Sequence, residues 1–359
     1  YHQVTATWEK AAAAHLHQPW QARDAYIAVI NDPNETTIAR FMATHARTTA
    51  RYPALALLEL QRQLMQSYTS CAWFFNDVAG IETIQVLRYA ARMMQLAQQT
   101  MGLDLEEGFH EQLEQVLSNT GVTAAMLYAE QVKPLKLTLA DICAHDALTG
   151  LFIDAPLTHD IYLHHIVHQA RQTWSLAPLR VVVGMSQVGS VMTGEQAHFV
   201  YGVVRAGEHV IAGGVSPDVA RYAHIRQQID KAIQRGNRDE VLAVMQRELG
   251  RFEYSLRAIF REEQRTIMTR MLHNVSQTVV AQLHAMYAEQ VPLLKFLQRM
   301  AVPMPSELQA VATTAVHADI RTLLAAPDLD VAALQQLIET ARQTGIVLDV
   351  EVLGYEATL

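Results

Sequence analysis

The residues of this sequence best suited to binding a sugar lie in one short stretch of the first quarter of the chain. Three aromatic side chains, Trp73, Phe74 and Phe75, stand close to the carboxylates of Asp77 and Glu82. A flat aromatic ring can stack on the apolar face of a pyranose, and carboxylates accept hydrogen bonds from its hydroxyl groups. The same pattern fits a second interpretation, in which the aromatic side chains belong to the core and Asp77 caps the next helix.

Arginines at a spacing of four form a second candidate feature, on a helix predicted over residues 254–272. Arginine binds carboxylates through a bidentate geometry, and a charge at a helix–helix seam needs a partner. We therefore expect Arg257 or Arg261 to lie within hydrogen-bonding reach of Asp77 or Glu82. The alternative is a solvated polar face.

The densest group of histidines is His159, His164, His165 and His168. On a helix, His164 and His168 could share a metal ion. The pattern there is strand-like, however, and residues four apart on a strand are separated by about 13 Å. We therefore predict packed or solvated histidines, with no metal site and no cofactor.

The residue pattern along the chain predicts the elements that must position these residues. They form an α+β fold, predominantly α-helical with an inserted antiparallel β-sheet. Residues 1–155 read as a helical half, residues 156–216 as the β insert and residues 217–359 as a second helical half. In the insert, residues 199–204 and 209–212 flank Gly207-Glu208, which predicts a hairpin. Asp218 is the expected N-cap of the next helix.

The composition argues against several classes of function. Of the 359 residues, 50% are hydrophobic and 18% are charged, and the formal net charge is −8. A mildly acidic chain without a basic block is a poor partner for nucleic acid or a membrane surface. Cys71 and Cys143 predict neither a disulfide framework nor a thiolate metal site, which favours a cytoplasmic setting. The start at Tyr1 rather than Met suggests a fragment.

Several strings, in the same order along the chain, resemble the C-terminal region of relatives of family-57 glycoside hydrolases. They are residues 19–27 (PWQARDAYI), 68–82, 81–92 (IETIQVLRYAAR), 142–152 (ICAHDALTGLF) and 254–265 (YSLRAIFREEQR). In that group, the region is described as a domain of unknown function that follows the catalytic barrel. The resemblance spans nearly the whole chain.

In better-known family-57 enzymes, the helical region after the barrel supplies a motif like Ser-Ser-Asp-Trp-Pro-Phe to the substrate cleft. The nearest match is residues 70–75, where Ser70, Trp73 and Phe75 correspond. The motif's aspartate is missing and Phe74 replaces its proline, so that Asp77, one helical turn further on, is the candidate substitute.

The resemblance thus implies an accessory, substrate-cleft domain of a glycoside hydrolase or glucanotransferase acting on α-glucans. Its partners would be an N-terminal catalytic barrel of the same polypeptide and an oligo- or polysaccharide. The two catalytic carboxylates, about 5 Å apart in a retaining enzyme, would lie in that barrel, so no catalytic residue is assigned here. The candidate substrate-binding residues are Ser70, Trp73, Phe75, Asp77 and Glu82, with Arg257 and Arg261 in support.

Two alternatives remain open. One is a purely structural or dimerising helical module that makes no contact with sugar. The other is a self-contained enzyme that uses Asp77, Glu82 and Asp146, although no motif supports it.

Overall fold

The computed structural model describes residues 1–153, 156–207, 210–250, 253–326 and 328–348. The chain forms two compact units, Tyr1–Glu263 and Gln264–Leu359. Helices dominate, and one antiparallel sheet lies in the first unit, which confirms the predicted α+β fold. None of the described helices has a stretch long and apolar enough to cross a membrane.

The first unit begins with a layer of helices. They are α1 (His2–His15), α2 (Pro19–Ala25), α3 (Ile27–Asn31), α4 (Glu35–His45), α5 (Ala54–Gln66), α6 (Cys71–Phe74), α7 (Ile81–Met101), α8 (Glu106–Glu114), α9 (Ala124–Gln131) and α10 (Leu139–Thr149). Helix α5 is buried along most of its length because α1 and α7 pack against it. The Trp8 indole is fully buried there and donates a hydrogen bond of 2.8 Å to the Leu57 carbonyl oxygen.

The sheet has five strands in the order in which they occur in the chain. They are β1 (Thr158–Ile161), β2 (His164–Leu176), β3 (Leu179–Ser190), β4 (Gln196–Ala206) and β5 (Val210–Ser216). Every neighbouring pair is antiparallel, so the sheet is a meander. The predicted hairpin is confirmed as β4–β5, while Glu208 and His209 lie outside the described residues.

Side chains alternate between the two faces of the sheet, and each face packs against helices. On one face, Val181, Val183 and Val200 pack against α11 (Arg221–Gln234) and α12 (Arg238–Leu249). On the other face, α10 contacts β3, β4 and β5. Helix α10 therefore lies over the half of the sheet that ends at the edge strand β5, and its inward side chains are buried.

Two local predictions were wrong. Asp218 does not cap α11, whose N-cap is Ala220; the Asp218 carboxylate instead accepts a hydrogen bond of 2.9 Å from Nε of Arg221. The helix predicted over residues 254–272 starts later, because the Tyr254 backbone pairs with Gly213 of the edge strand β5. A 3-10 turn, Leu256–Ala258, follows that bridge.

Helix α13 (Arg261–Arg299) carries the chain from the first unit into the second and includes Pro292. The second unit also contains α14 (Ser306–Leu324) and α15 (Val331–Thr344), and its core includes Leu294, Val316 and Ile320. At 39 residues, α13 is the longest of the described helices.

Candidate functional site

Trp73 and its aromatic neighbours are exposed. They lie on residues 67–80, here called the aromatic loop, which connect α5 to α7 and include the four-residue helix α6. Trp73 retains 72% of its maximal exposure and Phe74 retains 69%, and Phe75 is also exposed. Because a helix of one turn presents little surface to the core, α6 leaves these rings in solvent. The interpretation of all three as core residues is therefore wrong.

The polar residues of the same stretch have different surroundings. Oδ1 of Asp77 accepts hydrogen bonds from the backbone N–H groups of Ala79, at 3.1 Å, and Asn119, at 3.2 Å. Asp77 thus ties the aromatic loop to the connection between α8 and α9. Ser70 is exposed, and Glu82 is half-buried in the first turn of α7.

A cavity of about 840 Å³ lies next to the aromatic loop. Tyr68 and Val78 of the loop line it, together with Leu87 and Met94 of α7 and Phe109 of α8. The lining is mostly apolar, and Trp73, Phe74 and Phe75 do not belong to it.

Arg257 and Arg261 do not lie on one helix. Arg257 belongs to the 3-10 turn and Arg261 is the first residue of α13, and both side chains are exposed. Within the described residues, no hydrogen bond or ion pair joins either arginine to Asp77 or Glu82. The structure therefore does not bring the expected supporting residues to the aromatic loop.

A second group of polar residues lies between α10 and the sheet. Asp146 of α10, His159 of β1 and His168 of β2 form what we call the Asp–His–His cluster. Nε2 of His159 lies 2.8 Å from Oδ1 of Asp146, and Nε2 of His168 lies 3.3 Å from Oδ2. One potential ligand atom from each residue falls within 4.8 Å of the other two, which is close enough for one metal ion.

The strand register explains how the two histidines meet. His159 pairs with Ile166 across the β1–β2 hairpin. His168 is two residues beyond Ile166 and therefore points to the same face of the sheet as His159, as its diagonal neighbour. The sequence prediction of a strand here is confirmed, but His168 meets His159 rather than His164.

In both imidazoles, Nδ1 has a polar partner that fixes the orientation of the ring. His159 Nδ1 lies 3.1 Å from the Pro156 carbonyl oxygen, and His168 Nδ1 lies 2.8 Å from Oγ of Ser186. A carbonyl oxygen can only accept, so Nδ1 of His159 carries the proton. Both rings consequently direct Nε2 towards Asp146.

Burial and charge shift the pKa values of the two histidines in opposite directions. The hydrogen bond with Asp146, followed by its charge, raises the pKa of His159 against the effect of partial burial. Burial lowers the pKa of His168 despite the Asp146 charge. The cluster can therefore hold a cation beside Asp146, either a proton on His159 or a metal ion.

Two of the strings that motivated the family resemblance meet beside this cluster. Nδ1 of His145 accepts a hydrogen bond of 3.1 Å from the Phe260 backbone N–H, and the two rings stack with centroids 4.1 Å apart. Burial lowers the pKa of His145, which favours the neutral ring that this hydrogen bond requires.

The Asp–His–His cluster was not predicted from the sequence, because the pair considered for a metal ion was His164 with His168, which a strand places about 13 Å apart. Asp146 and His159 are on different elements, and the hairpin that aligns His159 with His168 turns at Tyr162-Leu163. That dipeptide lacks the Gly, Asn or Asp that marks a two-residue turn. The remaining signal was the number of histidines in residues 159–168.

A family model described as "Domain of unknown function (DUF3536)" matches residues 1–260. No curated protein and no solved structure matches the chain. The matched residues include both the aromatic loop and the Asp–His–His cluster.

Proposed function

This chain belongs to the DUF3536 family, and we propose that it is an accessory, substrate-cleft domain of a family-57-type glycoside hydrolase or glucanotransferase that acts on α-glucans. Catalysis would take place in a barrel of the same polypeptide outside these residues. The aromatic loop would contact the sugar, and the helical layer would hold the loop in place.

The observation that carries the proposal is the exposure of Trp73. A tryptophan buries a large apolar area when it enters a core, as Trp8 does in the same unit. Clustered exposed aromatic residues typically mark a binding surface. Trp73, Phe74 and Phe75 are consecutive, and the rings of the two phenylalanines meet edge to face at 5.3 Å.

The polar groups around the rings fit a sugar. Ser70 offers a hydroxyl group that can donate and accept, and Glu82 offers carboxylate acceptors. Asp77 uses Oδ1 to fix the loop backbone, so its contribution would be to position Trp73 rather than to bind a hydroxyl group through that oxygen.

A retaining glycosidase needs two carboxylates about 5 Å apart. The Asp77 carboxylate accepts a hydrogen bond from the backbone of the aromatic loop, and Asp146 is buried beside His159 and His168. Their separate surroundings favour an accessory role over a self-contained enzyme built from Asp77, Glu82 and Asp146.

The apolar cavity beside the loop favours a second candidate, a structural or dimerising module without sugar contact. An apolar surface of that kind also suits a packing partner. The two candidates differ in what covers Trp73, which is a sugar in the first and protein in the second.

Affinity electrophoresis in gels that contain soluble amylose or glycogen tests the proposal. We expect the wild-type chain to be retarded and Trp73→Ala to migrate as in a gel without polysaccharide. Phe296→Ala is the matched control, since Phe296 is an exposed aromatic residue of the second unit. It should be retarded like the wild type.

Equal migration of wild type and Trp73→Ala in the polysaccharide gel would overturn the sugar-binding role. If light scattering also showed a dimer that Trp73→Ala dissociates, the dimerising module would replace it. Turnover of an aryl α-glucoside by the purified chain, lost in Asp77→Ala, would instead favour the self-contained enzyme.

A further inference from the structure

The polar residues buried between α10 and the sheet have no part in the proposed sugar contact. Asp146 and His168 are almost fully buried, with side-chain exposures of 4% and 2%, and His159 retains 17%. Burying a carboxylate is costly unless it is paired or binds a metal ion. The arrangement therefore calls for a cation at this position.

Within the Asp–His–His cluster, one buried nitrogen has no hydrogen-bond partner among the described residues. Nε2 of His168 makes no hydrogen bond, although it lies 3.3 Å from Oδ2 of Asp146. Its ring is fixed by Ser186, so the nitrogen cannot turn towards another partner without breaking that bond. A buried polar atom without a partner calls for an explanation, and a bound ion beside the carboxylate is one that the residues here can provide.

We infer that Asp146, His159 and His168 bind one divalent transition-metal ion, for which Zn²⁺ is the best-suited ion. Two imidazole nitrogens and one carboxylate form a common ligand set for zinc with three protein ligands. Two ligand atoms at about 2.0–2.1 Å from a tetrahedral zinc ion are about 3.3 Å apart. The spacing between His168 and Asp146 matches that value, whereas His159 and Asp146, at 2.8 Å, are in direct hydrogen-bonding contact and must separate by about 0.5 Å when the ion binds.

The hydrogen-bond partners of the two histidine ligands have the arrangement typical of metal sites. A histidine that binds metal through Nε2 usually has its Nδ1 held by a carbonyl, carboxylate or other polar partner. Here the Pro156 carbonyl holds His159 and Ser186 holds His168. Three protein ligands leave a fourth position for water or another small ligand, and His159 lies on the more accessible side of the cluster.

The test uses the full chain, purified without a polyhistidine tag and stripped with a chelator. Zinc is then added in competition with a chromophoric chelator, and the metal that remains with the protein after desalting is measured by mass spectrometry. We expect about one tightly held Zn²⁺ per chain and a rise in Tm on zinc addition.

His159→Gln and His168→Ala should lose the tight site. His165→Ala is the matched control, because His165 is a histidine of the same strand on the opposite face, exposed and paired with Asp160. It should keep one zinc per chain. Ser186→Ala should weaken zinc binding about 10–100-fold, as expected for loss of an outer partner.

Circular dichroism checks that each variant is folded. Because His159 is partly exposed, His159→Gln keeps the test informative even if His168→Ala fails to fold. The proposal is overturned if the wild-type chain retains no zinc, or if folded His159→Gln retains as much as His165→Ala. In that case, a proton shared between His159 and Asp146 would be the cation of the cluster.

Discussion

In the helical layer of the first unit, the aromatic loop leaves Trp73 and Phe74 in solvent, whereas between α10 and the sheet Asp146 and His168 are removed from it. Each region departs from the ordinary preference of its side chains, and the two departures are opposite. Burial lowers the free energy of an apolar ring, and hydration lowers the free energy of a carboxylate. A ligand would restore the preference in each case, and we have proposed a sugar for the rings and a metal ion for the carboxylate.

The two regions also differ in how they are built. The aromatic loop is a local feature, because its residues are consecutive in the sequence and α6 is a single turn. The Asp–His–His cluster is assembled from a helix and two strands. A local site can change with little effect on the core, whereas changes at buried positions such as Asp146 and His168 also affect the packing of α10 on the sheet.

The largest effect that would test this comparison is a contrast between two tryptophans. We expect Trp8→Ala to lower the free energy of unfolding by about 3–5 kcal/mol, since it empties a fully buried position. Trp73→Ala should change it by no more than about 0.5 kcal/mol, as for other exposed residues. Urea denaturation followed by circular dichroism measures both. A loss of several kcal/mol for Trp73→Ala would mean that the aromatic loop is covered in solution.

A smaller effect is expected next to the Asp–His–His cluster, from Gly184→Ala. A Cβ at Gly184 would overlap the ring and hydroxyl group of the buried Tyr201, which lies against His168 with ring centroids 6.3 Å apart. Overpacking of this kind costs about 1–3 kcal/mol. The matched control is Gly108→Ala in α8, where a Cβ has open space.

Gly108→Ala should be neutral or stabilising by up to about 1 kcal/mol, because alanine has less backbone entropy to lose in a helix. Thermal and urea denaturation of both variants measure the difference. If Gly184→Ala were as well tolerated as Gly108→Ala, the packing around the cluster would be looser than the structure indicates.

The smallest effect is expected from the partly exposed ion pair of Glu106 and Lys136, which lies outside both regions. Its contribution to stability is a reference for the other two effects. Burial tends to raise the pKa of Glu106, but the hydrogen bonds and charge of Lys136, with the Tyr128 hydroxyl, outweigh it and lower that pKa. A carboxylate with a lowered pKa in the folded state stabilises the fold above its unfolded pKa, about 4.3. The contribution is lost as the pH falls through the folded pKa.

We therefore expect Glu106→Gln to be less stable than wild type at pH 7, by under about 1 kcal/mol for a partly exposed pair. The difference should disappear in acid. Urea denaturation from pH 7 down to pH 3 measures it, with Glu107→Gln, an exposed residue of the same helical turn, as the control. A difference that persisted in acid would show that Glu106 acts through packing rather than charge.

The sequence by itself determined the fold class and most of the elements. Apolar residues at spacings of three and four, among them Leu57, Leu60 and Leu64, predict helix α5, and a run of three valines at 181–183 predicts a strand of the insert. These signals are local, since an element shows its buried side in its own residue pattern. The prediction for Trp73 stayed open because a run of aromatic residues reads the same whether a neighbouring helix covers it or not.

Only the tertiary structure decided which distant residues meet. The antiparallel register brought His159 and His168 to one face, and the packing of α10 on the sheet added Asp146. The bridge between Tyr254 and Gly213 likewise lies where the residue spacing predicted the start of a helix; the helix starts later, at Arg261, and Arg257 lies before it in a 3-10 turn. A strand register and a helix-on-sheet contact depend on residues far apart in the chain, and no local pattern specifies them.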